Sequence, residues 1–369
     1  MVYGGYWDFE LIKNVRKNFS TIKDVASQNN LIMKKGLQDN DGDKKDSSNL
    51  VGRKILDSEE ALDHFYLNES AYTIFNKDKI HRPRNPEIYK APYVLFKKGL
   101  DCADYSIRAV YTESDFLYRE TINCIKGSEK DKKTLLNLCG LLNSSLFSYF
   151  NLMLGSSTGI EREQIFLEEL GNYPYVYNDE LVELVEKMQR EEWGKNRNEL
   201  QVALNQCVMR MYGLQDNYFV DYALSIQIPM LCGTYQETKC DAKSMKEYVS
   251  ILSKIWDEHF GQSNVHYKIT IYPDIKGKFA AVQVKLSFTS QIEDIFVIDN
   301  VDEDVSLLTN FMIYQLNDCF YQTKNVVEFS EDSFVIVKPI EAKNWHPAMA
   351  IKDSYKVLNA VLLGKEDCR

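Results

Sequence analysis

Apolar side chains recur at Leu135, Leu138, Leu142, Leu146, Tyr149 and Met153, while Asn137, Ser144, Ser148 and Asn151 fall on the opposite stripe. Steps of three and four residues predict one amphipathic helix over 133–155, ended by Gly155. Thr158 and Glu161 stand at capping-box spacing and predict a helix from Arg162 to Leu170, closed by Gly171. Asn178 and Asp179 cap an acidic helix running to about Trp193, interrupted by Gly194, and a further helix is expected from Asn198 to Tyr212. Earlier in the chain, a helix is expected from Phe9 to Asn18, and 36–49 is rich in Gly, Asp, Asn and Ser and reads as loop. Pro83, Pro86 and Pro92 exclude a helix there, and the stretches Tyr93–Phe96, Tyr105–Tyr111 and Phe116–Ile125 read as strands.

The pattern changes again after residue 244. A helix from Met245 to Phe260 precedes a hairpin of Val265–Tyr272 and Phe279–Phe288 around Pro273–Gly277. A short strand Ile295–Ile298, a helix Asp302–Tyr321, a second hairpin of Val326–Phe329 and Phe334–Lys338, and a last helix His346–Leu363 complete it. The chain is therefore expected to be α+β. A mixed-strand domain should occupy 1–176, a helical segment and linker 177–244, and a smaller α+β domain with antiparallel hairpins 245–369.

Charge sharpens that division. Net charge is -10 over 369 residues, but it is unevenly spread. Residues 1–150 carry 23 Lys+Arg against 21 Asp+Glu, 151–244 carry 8 against 15, and 245–369 carry 13 against 18. Only the first region can approach a phosphate backbone without strong repulsion. The run 134–160 has no charged residue and is long enough to cross a bilayer, yet a spanning helix would not keep an unpartnered polar stripe. No membrane association is expected. The eight cysteines lack paired spacing and the start MVYGGYWDF lacks a basic-then-apolar leader, so reduced thiols and a cytoplasmic location are expected.

Most catalytic chemistry is missing from the sequence. No two glycines lie at i and i+2, so there is no Gly-rich turn for S-adenosylmethionine, and no Pro-Pro-aromatic motif or P-loop is present. Asp274 with Gln283 and Lys285 has a tolerable nuclease spacing but puts Gln where an acid is usual, and a turn plus a solvent face is the better reading. His64, His259 and His266 have no ligand at metal spacing, His346 suits a packed helix start, and Ser156 and Ser157 suit a cap better than a nucleophile. Neither a catalytic nor a metal site is expected.

Four segments nonetheless occur in a telling order: YWDFELIKNVRKNFSTIKDV, HRPRNPEIYKAPYVLFKKG, SIRAVYTESDFLYRETINCIKG and LLNSSLFSYFNLMLGSSTGIEREQIFLEELGNYPY. Across most of 1–215 this series resembles the TaqI-like target-recognition domain of adenine-specific DNA methyltransferases from restriction–modification and phage-defence systems. The resemblance implies binding to double-stranded DNA, with base and phosphate contacts from Lys79, His81, Arg82, Arg84, Lys97, Lys98, Arg108 and Arg119, and from Arg162 at a helix start. It also implies an adenine-N6 methyltransferase domain or subunit as partner, which would hold the S-adenosylmethionine that this chain does not. The uncharged stripe on 134–154 would suit a partner or nucleic acid. The competing expectation is a protein–protein adaptor acting through the acidic end, where Glu293, Asp294, Asp299, Asp302, Glu303 and Asp304 cluster.

Overall fold

A computed structural model describes residues 3–39, 42–160, 162–191, 195–260, 266–275, 277–287, 295–297, 326–329 and 333–363. The chain is α+β and divides into two compact units, Met1–Tyr235 and Gln236–Arg369.

The first unit is built on an antiparallel four-stranded sheet in the order Ala109–Thr112, Tyr93–Lys97, Ile122–Lys126, Ile32–Lys35. The unbroken apolar run Tyr93–Phe96 is buried on both faces of that sheet. Val94 and Phe96 enter a core shared with the helices, while Tyr93 and Leu95 enter a second core. That second core is closed by a small mixed sheet of Leu117–Tyr118, Lys54–Leu56 and Tyr72–Ile74. The strand expected over 116–125 is thus two. Its first half joins the small sheet, and after a turn at 119–121 its second half joins the central one. The strand expected from Tyr105 begins only at Ala109, because Tyr105 has φ +56° and the Ser106 N–H bonds back to Asp104 Oδ1 at 2.9 Å.

The single helix expected over 133–155 is also two, Lys132–Leu142 and Ser145–Leu154. The break lies at Asn143, whose side chain acts as a missing strand. Its Nδ2 donates to Ala109 O and Cys139 O, both at 2.9 Å, and its Oδ1 accepts from Ala109 N at 3.0 Å. The polar stripe is not a docking surface: Asn137, Ser144, Ser148 and Asn151 are all buried. Asn137 joins Val176 O and Asn178 N, and Asn151 joins Tyr105 O and the Tyr173 hydroxyl. A buried amide must find such partners, and here they come from distant segments of the same unit.

The helix expected from Arg162 is shortened to Leu167–Gly171. Residues ahead of it are extended, with Gln164 bridged to Gly99, Leu100 N bonded to Glu163 O and Ile165 N to Lys98 O. Helix Asp179–Arg190 forms as expected, its Asn178 side chain accepting from Glu180 N and Leu181 N. It and helix Lys195–Met211 send Leu181, Val185, Met188, Leu204 and Val208 into the helical core, and Val220, Ala223 and Ile228 follow. Residues 177–235, expected as helix and linker, are part of this unit's packing.

His64 completes the Asn143 node. Its Nδ1 lies 2.8 Å from Asn143 Oδ1, which the Ala109 N–H already fixes as an acceptor, so Nδ1 carries the proton and Nε2 is bare. Burial lowers the His64 pKa, outweighing the Asn143 hydrogen bond and the nearby carboxylates of Asp63 and Asp104. The unfolded chain takes up this proton near the ordinary histidine value of about 6.5, and the folded chain refuses it until lower pH. His64 therefore costs no stability above about pH 6.5 and progressively more below it. Urea midpoints should fall more steeply between about pH 7.5 and about pH 5.5 for the parent protein than for His64→Gln; parallel curves would contradict a neutral imidazole in this half-buried position.

The second unit carries a five-stranded sheet in the order Ile295–Val297, His266–Ile275, Phe279–Ser287, Ser333–Pro339, Val326–Phe329. Only the pairing of Ile295–Val297 is parallel, and both expected hairpins are present. Helices Ala242–Phe260 and Pro347–Leu363 cover one face, where Tyr248, Leu252, Trp256 and Val357 meet Ile269, Ile271, Val282 and Ile336. Trp345 is buried, and His346 Nδ1 accepts from Ala348 N at 3.1 Å to cap the last helix. The helix expected at 302–321 and the acidic cluster at 293–304 lie outside the described residues. Asp274 accepts from Gly277 N in the hairpin turn, while Gln283 pairs with Thr270. That is four residues along the strand, or about 13 Å, too far to share one ion.

Candidate nucleic-acid interface

Register decides which cations meet. Asn123 lies between Lys35 and Phe96, and Ile122 opposite Lys97, so strands Ile32–Lys35 and Tyr93–Lys97 both end in lysines at the same end of the central sheet. Lys98 continues past it, its N–H bonded to Thr121 O at 2.7 Å. Lys97 N bonds to Arg108 O, which brings Arg108 to the same end. Arg84 arrives from a separate segment: its Nε donates to Gly36 O at 3.1 Å. Gly36 permits this crowding, since a Cβ there would come within 2.2 Å of Tyr118 O.

The segment 79–84 is held beside 36–46 by pairing of Asp46 with Lys79, Lys45 with Ile80 and Gln38 with Arg82. His81 sits between them, its Nδ1 3.3 Å from Asp43 O and its ring against Gly42, where φ is +111° and a Cβ would meet the ring at 2.4 Å. Lys79 and Arg82 are exposed, and His81 and Arg84 half-buried. Arg162 is exposed on the extended segment that pairs with Gly99, not at a helix N-terminus, so its expected dipole-assisted anion contact loses its basis.

The nine residues expected from sequence differ in availability. Arg119 is held by Asp39 at 2.7 Å and Asp57 at 2.6 Å. Burial works against the Asp39 carboxylate, but hydrogen bonds from Lys77 and Arg119 prevail and hold its pKa below the usual range. Arg108 is paired with Asp101 and lies 3.5 Å from Asp63. These two arginines therefore brace loops. Burial lowers the Lys97 pKa, aided by Arg108 and opposed by Asp63, Glu59 and Glu60.

Lys35, Arg84 and Lys98 are different. Burial first, and then repulsion from Lys98 and Arg84, lowers the Lys35 pKa despite Glu120 and Glu168 nearby. Three cations thus crowd together, and among the described residues none of them has a salt-bridge partner. A phosphate placed among them would relieve that mutual repulsion. The sequence reading passed over Lys35. Its signal was the Lys-Lys-Gly at the end of a short alternating strand, legible only once that strand is paired with Ile122–Lys126.

No family model matches the chain, and no curated protein matches it either. Among the described residues no helix is long and apolar enough to cross a membrane. Nor does any group of three or more His, Cys, Asp or Glu among them converge as a possible metal site.

Proposed function

We propose that the first unit is a DNA target-recognition module for adenine-N6 methylation in a restriction–modification or phage-defence system, serving a methyl-transfer domain outside these residues. S-adenosylmethionine would belong to that partner. The observation that carries the reading is the meeting of Lys35, Arg84 and Lys98 at one end of the central sheet, where register and the Arg84–Gly36 hydrogen bond bring them together. Beside it stand the exposed Lys79 and Arg82 and the half-buried His81, on a segment braced against 36–46. Cations at a rigid sheet end suit phosphates, and side chains on the adjoining loops suit base edges. The ordered likeness to TaqI-like recognition domains supports the same assignment, and methyl transfer would fall to the partner, since its motifs are not found in this sequence.

Binding of the full chain to duplex DNA should weaken steeply with salt, and pull-down or footprinting against random duplexes should return a preferred sequence. Addition of an adenine methyltransferase catalytic subunit should tighten the complex. Salt-independent binding without sequence preference, with and without that subunit, would rule the proposal out.

A further inference from the structure

The first unit also carries a half-open cavity of about 380 Å³ whose lining includes His64, Ser106 and Asn143. Ser106 Oγ lies 3.4 Å from His64 Nε2, and His64 Nδ1 lies 2.8 Å from Asn143 Oδ1. Asn143 is locked by Ala109 and Cys139, so the imidazole is oriented with its proton on Nδ1 and its lone pair on Nε2 toward the serine. The buried Arg197 guanidinium donates to His64 O and fixes the backbone of the same residue. A hydroxyl, a base and an orienting acceptor in line are the parts of an activated nucleophile.

The cavity also carries Asn198 and Asn205. Asn205 Oδ1 accepts from Ser145 N and Gln201 Nε2, and no hydrogen bond among the described residues uses its Nδ2 or the Asn198 side chain. Both side chains contribute polar groups to the cavity. Leu224, Ile228 and Pro229 add an apolar wall. An apolar wall with a few fixed polar groups is the make-up of a small-molecule pocket.

We propose that Ser106, His64 and Asn143 form a nucleophilic site that takes small carboxylic esters. Ser106 Oγ attacks the ester carbonyl carbon while its proton passes to His64 Nε2. The carbon–oxygen bond to the leaving alcohol breaks, and His64 returns the proton to that oxygen. Water then gives a proton to His64 and its oxygen to the acyl carbon. The bond between the acyl carbon and Ser106 Oγ breaks, the carboxylic acid leaves, and His64 returns the proton to Ser106 Oγ. Asn143 is a positioning residue.

The test is treatment of the full chain with a fluorophosphonate, followed by mapping of the adduct by mass spectrometry, alongside p-nitrophenyl acetate hydrolysis. The expected result is one phosphonyl group on Ser106, lost in Ser106→Ala and His64→Gln but retained in Ser70→Ala, an exposed serine outside the cavity lining. Hydrolysis should fall about a hundredfold in Ser106→Ala. The labelling rate should drop in acid as Nε2 takes up a proton. Failure of the parent protein to label at Ser106 would overturn the assignment, as would full esterase activity in a folded Ser106→Ala variant. Duplex DNA binding should be unchanged in Ser106→Ala, so this site and the recognition module stand or fall separately.

Discussion

Asn143→Ala should destabilise the first unit by about 2 to 4 kcal/mol, because it leaves the buried Ala109 N–H and the His64 Nδ1 without partners, while the Ala109 and Cys139 carbonyls keep the Phe65 and residue-143 N–H donors. The Asn143 amide satisfies the N–H of Ala109 and helps to satisfy the carbonyls of Ala109 and Cys139, and it holds the His64 ring. Each orphaned buried group costs about 1 to 3 kcal/mol, and partial relaxation keeps the total below the sum. Asn143→Asp retains the acceptor but loses both donations, and should fall between the parent and Asn143→Ala. Urea unfolding of the full chain, followed by a probe in the first unit, measures both. A loss under about 1 kcal/mol for Asn143→Ala would mean that the sheet edge does not depend on this side chain.

The second large effect lies in the other unit. Lys338 and Asp353 form an ion pair in which both side chains are under a tenth exposed. The Lys338 ammonium also donates to Asn344 O at 2.9 Å and stands 4.7 Å above the Tyr248 ring and 5.1 Å above Trp345. Tyr248 in turn donates to Asp353 at 2.8 Å. Burial lowers the Lys338 pKa, and Asp353 opposes that change. Lys338→Met strands a carboxylate in the core and should cost about 3 to 5 kcal/mol. Adding Asp353→Asn removes the stranded charge and keeps an acceptor for Tyr248, so the double variant should regain about half of that loss or more. A double variant as unstable as the sum of the two single ones would show that the pair is not coupled.

Local signals carried much of this fold. The acidic helix after Asn178, the two hairpins of the second unit and the capped last helix follow from caps, alternation and turn residues that act within a few positions. What misled was the uncharged polar stripe. Its spacing is that of a solvent-facing helix side, yet Asn137 and Asn151 find partners 39 and 46 residues away. No local pattern announces such partners, and the same is true of Asn143, which breaks the helix because it completes a sheet edge. Thr158 and Glu161 offered a capping box, but pairing of Gln164 with Gly99 pulled the following residues into an extended run.

The candidate site was legible to a similar depth. Composition pointed to the first 150 residues, and the Pro-interrupted segment around Arg82 and Arg84 is indeed irregular backbone at a sheet end. Which cations are free was not legible, since the acids that hold Arg108 and Arg119 come from other parts of the chain. Lys35 joins the cluster only through register. His64 and Ser106, 42 residues apart, meet only because the Asn143 node closes over them.

The most direct measurement is the salt dependence of duplex DNA binding for the parent chain and for a triple variant, Lys35→Gln, Arg84→Gln and Lys98→Gln. A phosphate contact at each position predicts that the slope of log K against log salt becomes shallower by about 2 to 3. Affinity should fall about tenfold or more, while Arg119→Gln, already paired in the free protein, changes the slope by much less than one contact. An unchanged slope in a folded triple variant would contradict the account.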